Sequence, residues 1–156
     1  MVMAACSLPK SITQCLAPIN EQLEKGIEPL VLAMREHGFI TISCCEGHFR
    51  PDDYRTARPN VIFTALDRGL LHSWIRQVSR TLAPLPVEFC MFPVWDPSRD
   101  VVHEDNWMVS LDASQCETHE VADQRRTEAV RYLACALQQA ASNRPLATDT
   151  FVRSRW

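Results

Sequence analysis

Helical and extended segments follow one another in this chain as helix, strand, strand, helix, strand, strand, helix. That order predicts an α+β domain, with a mixed sheet of four to five strands and helices packed mainly on one face. Three observations carry the expectation. "DRGLLHSWIRQVSRTL" (67–82) repeats apolar residues at the helical period, four short runs rich in β-branched and aromatic residues read as strands, and an alanine-rich periodic stretch reaches to about 141. At 156 residues, with 46% hydrophobic and 22% charged residues, the chain suits a single globular domain over 1–156.

Residues 1–26 carry Pro9, Pro18 and Gly26 and read as an irregular lead-in. "IEPLVLAMREHGF" predicts a short helix, with Pro29 in its first turn and Gly38 at its exit. "FITIS" predicts a strand over 39–44 and "NVIFTAL" a second over 60–66. In the next helix Leu70, Leu71, Trp74, Ile75, Val78 and Leu82 share one face, with His72, Arg76 and Arg80 opposite. Strands are expected over 87–95 and 106–113, flanking a loop "DPSRDVVHED". A long helix begins between 115 and 120, where Ser114 and Glu117 have capping-box spacing. Its buried side is Ala122, Ala129, Leu133, Ala136, Leu137 and Ala140; Arg125, Arg126 and Arg131 read as a solvated face. The segment 142–156 reads either as a loose tail or as a short added edge strand.

A net charge of −3 gives no general attraction to nucleic acid, which is not an expected partner. No apolar run has the length to span a membrane, so no membrane association is expected. Seven cysteines, an odd number without regular spacing, and an opening "MVMAACSLPK" without signal-peptide character point to reduced thiols in the cytoplasm. There is no glycine-rich phosphate loop, dinucleotide fingerprint or nucleophile elbow. The expected partners are a small-molecule ligand and a second copy of the chain.

The densest chemistry lies in "TISCCEGHF" (41–49). Strand alternation separates Ile40, Ile42 and Cys44 from Thr41, Ser43 and Cys45. With the isoleucines taken as the core face, Cys44 packs inward and Cys45 lies with Thr41 and Ser43 on the polar side. Gly47 lets the chain turn so that His48 returns toward the Cys45 sulfur. Three readings of Cys45, Glu46 and His48 stand. They form a thiol or acid–base site; Cys45 and His48 ligate a metal, zinc by preference, with a further ligand such as Cys90, His103 or His119; or the group only closes a turn. Arg50, Arg55 and Arg58 follow at once and suit a carboxylate or phosphate of a substrate, which Thr41 and Ser43 would also line. Asp52, Asp53 and Glu104 are available to orient His48.

The stretch "GFITISCCEGH" followed by "RPNVIFTAL" resembles small bacterial proteins of uncharacterised function that carry Ser-Cys-x-Gly-His after a strand. Cys45, Gly47 and His48 match that motif, and Cys44 stands at its serine. The layout is also similar to the wybutosine-synthesising tRNA methyltransferase family, which has arginine at the place of His48. The resemblance spans about a fifth of the chain and implies a site at this turn, with RNA modification as one function. The residues themselves point to a small enzyme acting on an anionic or nucleotide-like substrate. A metal- or ligand-binding regulatory module without turnover is the alternative.

Overall fold

The computed structural model describes residues 23–96 and 100–143, with side chains described except at 92–96 and 101–105. Three helices and four strands alternate as α1 (Glu28–Glu36), β1 (Phe39–Cys45), β2 (Asn60–Ala65), α2 (Arg68–Ser79), β3 (Val87–Asp96), β4 (Val101–Leu111) and α3 (His119–Ser142). The protein is α+β. The sheet has four strands in the order β1-β2-β4-β3, and its pairings are antiparallel throughout rather than mixed. β3, which follows α2, joins the sheet beside β4 and not beside β2; both strands are antiparallel to β4, so β2 and β3 run parallel and α2 carries the chain across between them.

Local chemistry accounts for the element ends. Pro29 occupies the first turn of α1, and Gly38 (φ 80) takes the left-handed position that ends it. Asp67 caps α2 by accepting from the Leu70 amide at 2.9 Å. The cap of α3 is Thr118, whose hydroxyl accepts from Val121 N. Ser114 is instead turned to Asp112, its amide donating to Oδ1 at 2.9 Å. β4 begins at Val101, so "VVHED" extends a hairpin strand and is not loop.

The helices cover one sheet face. Val61, Phe63 and Ala65 of β2 and Val109 and Leu111 of β4 alternate into the core. Trp74 of α2 is fully buried among Phe39, Phe63 and Phe89, with ring centroids 5.8, 6.1 and 5.1 Å away. Its indole N–H donates to the Leu133 carbonyl of α3 at 3.1 Å. Along α3 the six expected positions are all buried. Leu82 is the exception to the α2 face, because the helix stops at Ser79 and leaves that side chain fully exposed.

β1 departs from regular alternation. Thr41 pairs with Phe63, yet Ser43 pairs with Ile62, so Ile42 is the extra residue of a bulge. Before it, Phe39 and Thr41 face the helices and the isoleucines do not. After it the phase reverses, and Cys44 lies opposite the buried Val61. Cys44 therefore packs against the core, but for a different reason than an isoleucine face: the bulge puts it there.

Candidate metal-ligand site at the end of β1

Beyond Cys45 the chain turns through two residues in the left-handed region, Gly47 at φ 91 and His48 at φ 43. A side chain at Gly47 would sit 2.9 Å from both Cδ and N of Pro59, so glycine is required for the close approach as well as the angle. The Gly47 amide donates to the Cys45 sulfur at 3.3 Å, a bond that favours the thiolate. The turn returns His48 to Cys45, where both meet Glu24, from the residues just before α1. One ligand atom each of Glu24, Cys45 and His48 lies within 4.8 Å of the other two. His48 Nε2 is 3.2 Å from Glu24 Oε1. The other carboxylate oxygen accepts from the Glu46 amide at 2.6 Å, which fixes the plane of the group. Cys45 and Glu24 are half-buried and His48 is exposed, so the cluster opens to solvent on the histidine side.

Glu46 points elsewhere. Its Oε2 accepts from the Gly26 amide at 2.8 Å and lies 3.8 Å from Arg126 Nη1. Arg126 is nearly enclosed, with 13% of its side chain exposed; it also pairs with Asp123 and lies over the Phe49 ring at 5.3 Å. A Cβ at Gly26 would collide with the Arg126 guanidinium and lie 2.6 Å from Glu46 Oε2. Glu46 thus ties the turn to α3 and to the entry of α1, and Arg126 is not on a solvated face. His119 makes a second tie, its Nε2 3.1 Å from the carbonyl oxygen of Phe49. Tyr54 makes a third, donating its hydroxyl to the carbonyls of Cys116 and Glu117 at 3.1 Å.

The remaining expected residues scatter. Thr41 is under α1, accepting from Arg35 Nε at 2.9 Å, while the bulge leaves Ser43 opposite Ile62 on the other face. Arg58 pairs with Glu88 and Asp112 at 3.2 and 3.4 Å. Arg55 donates to Tyr54, Arg50 is exposed, and Asp53 accepts from the Arg50 amide rather than from His48. Cys90 is exposed on β3. The side chains of His103 and Glu104 lie outside the described residues. Their strand position is informative nevertheless: Cys45 pairs with Asn60 and Asn60 with Ser110, seven residues from His103. That is about 23 Å along β4, so Glu24 stands where His103 was expected. No local signal in the sequence marks Glu24, which is separated from Cys45 by the whole of α1 and β1.

No family model matches the chain, and no match is found among curated proteins or solved structures. Among the described residues, no helix is long and apolar enough to cross a membrane.

Proposed function

We propose that Glu24, Cys45 and His48 hold a zinc ion through one carboxylate oxygen, one thiolate and one imidazole nitrogen, leaving a fourth position open. The convergence of those three atoms within 4.8 Å carries the reading. A tetrahedral site with bonds of about 2.0–2.1 Å to N and O has edges of roughly 3.3–3.4 Å, and the His48–Glu24 separation is 3.2 Å. With no metal present, His48 Nε2 and Glu24 Oε1 lie within hydrogen-bonding distance, so the ligands are held in place before the ion arrives. The Glu46 amide on the far oxygen of Glu24 is an outer-sphere contact of the kind that orients ligating carboxylates.

Three protein ligands and an exposed histidine side fit a reactive zinc better than a closed structural one. Such an ion supplies a water that ionises near neutral pH and a Lewis acid for a bound carbonyl or phosphoryl oxygen. The function we infer is that of a small cytoplasmic zinc enzyme acting on an anionic small molecule. Arg50, exposed two residues beyond His48, is the arginine best placed to meet its charge.

Metal analysis of purified protein tests this, together with the thiolate-to-cobalt absorption of the cobalt-substituted form. One zinc per chain is expected, lost in Cys45→Ser and Glu24→Ala and kept in Cys44→Ser. Stoichiometric zinc in Cys45→Ser would refute the ligand set. Metal-free protein whose Cys45 reacts rapidly with maleimide near neutral pH would instead support an activated thiolate, which the Gly47 amide favours.

A further inference from the structure

We infer a second binding site, at the other end of the helical layer, for a phosphorylated polyol such as a sugar phosphate. A cleft of about 480 Å³ runs along α2 where the last turn of α3 crosses it. That volume is in the range of small-molecule pockets. Arg76 and Arg80, one helical turn apart, form its charged wall, and Ser73, Gln77 and Asn143 supply its polar groups. Gly69 and Ala140 keep the remaining sides low.

The two arginines differ from most others described. Arg35, Arg55, Arg58 and Arg126 each have a bonded partner. Arg76 and Arg80 have none among the described residues, and no carboxylate lines the cleft. Neutralising the C-terminal dipole of α2 would account for their charge. It does not account for a concave surface that places a hydroxyl and two amides beside two unpaired guanidinium forks. Forks of this kind match phosphate oxygens two at a time. Gln77 donates Nε2 to Gln139 Oε1 at 2.9 Å, which fixes its amide and leaves Oε1 to accept from a ligand hydroxyl. The Ser73 hydroxyl has no partner among the described residues and is half-buried. Among the described residues no aromatic ring lines the cleft, so a nucleobase would find no stacking surface on them. Phosphate plus hydroxyls is the ligand chemistry that remains.

Along α3, Ala140 is about 21 Å from Arg126, so this cleft cannot share a small ligand with Cys45. The inference is therefore independent of the zinc reading.

The test is titration of the isotope-labelled full chain with ribose 5-phosphate, followed by amide shifts, with ribose, inorganic phosphate and sulfate as controls. Saturable binding is expected, with half-saturation at about 1 mM or below and the largest shifts at residues 69–80 and 140–143. Inorganic phosphate should bind several-fold more weakly and ribose not at all. Arg76→Ala and Arg80→Ala should each weaken ribose 5-phosphate by about tenfold without altering thermal unfolding, since both side chains are exposed. Cys45→Ser should leave the binding intact. Shifts that never saturate, or that are equal for ribose 5-phosphate, phosphate and sulfate, would reduce the cleft to a solvated arginine pair. Saturable binding indifferent to both arginine substitutions would place the ligand elsewhere and equally overturn the site.

Discussion

Gly47→Ala is the smallest change that separates the candidate zinc site from the fold around it. The backbone at Gly47 has φ 91, a conformation that costs a residue with a Cβ about 1–3 kcal/mol. The added methyl would also lie 2.9 Å from Pro59 Cδ and N and 3.1 Å from the Phe49 ring. Proline cannot swing away, because its ring is part of the backbone, so overpacking adds about another 1–3 kcal/mol. The total, about 2–6 kcal/mol, overlaps the usual stability of a domain only at its upper end. A chain facing such strain relaxes where it is least tied, by unwinding the turn that carries His48, because Cys45 is paired with Asn60 of β2. Zinc affinity should fall by at least about tenfold, with far-ultraviolet circular dichroism unchanged. The measurements are competition with a chromophoric chelator for affinity and urea denaturation of metal-free protein for stability. Affinity within twofold of the parent, together with a stability loss under about 0.5 kcal/mol, would show that the turn does not depend on glycine.

Other substitutions probe the supports. Arg126→Met removes the partner of Glu46 and the cation above Phe49; chelator competition should show weaker zinc binding, and denaturation a loss of about 1–3 kcal/mol. Trp74→Ala should cost about 3–5 kcal/mol. Trp74→Phe should cost about 1–2 kcal/mol, since it loses chiefly the hydrogen bond to Leu133; a loss below about 1 kcal/mol for Trp74→Ala would remove it from the core. Asp112 has its pKa held below 3.8 by hydrogen bonds from the backbone and side chain of Ser114, with Arg58 adding to the effect. Because the folded pKa is the lower one, its stabilisation is complete well above pH 3.8 and is lost as pH falls through the folded value. Asp112→Asn should therefore lower stability at pH 7 and flatten the acid limb of the stability curve; an unchanged acid limb would refute the linkage.

What the sequence disclosed and what it withheld divide along physical lines. Helix faces are set by a period that local residues display, so Leu70, Trp74 and Val78 in α2 and the alanine-leucine stripe of α3 were legible. The first three strands were legible for the same reason, but the fourth begins at Val101, five residues before the expected start, because "VVHED" lacks a strand pattern. The turn at Gly47 and its return of His48 toward Cys45 could also be read, because glycine between two polar residues after a strand has few other uses. Glu24 and Arg126 could not. Each acts across an interface between elements distant in the chain, and an isolated glutamate or arginine on a polar segment carries no mark of the partner it will meet. Arg58 misled for the mirror reason: its nearness in sequence to His48 meant less than the carboxylates of Glu88 and Asp112, which β3 and the end of β4 bring beside it.

The bulge at Ile42 joins these threads. In a regular strand Phe39, Thr41, Ser43 and Cys45 would share a face, and the buried Phe39 would set all four against the helices. One extra residue reverses the phase, so that Cys44 fills the space opposite Val61 and Cys45 comes opposite Asn60. The core thus takes the first thiol of an adjacent pair as packing, and the second is left at the strand end where Glu24 and His48 meet it. Two cysteines side by side are therefore not redundant. The period of two guarantees that they part, and the bulge decides which of them is spent on the core. It follows that a deletion of Ile42, which removes the extra residue and restores regular alternation, should leave Cys44 on the face of Phe39 and Cys45 opposite Asn60. The register, more than the identity of either residue, places Cys45 beside Glu24 and His48.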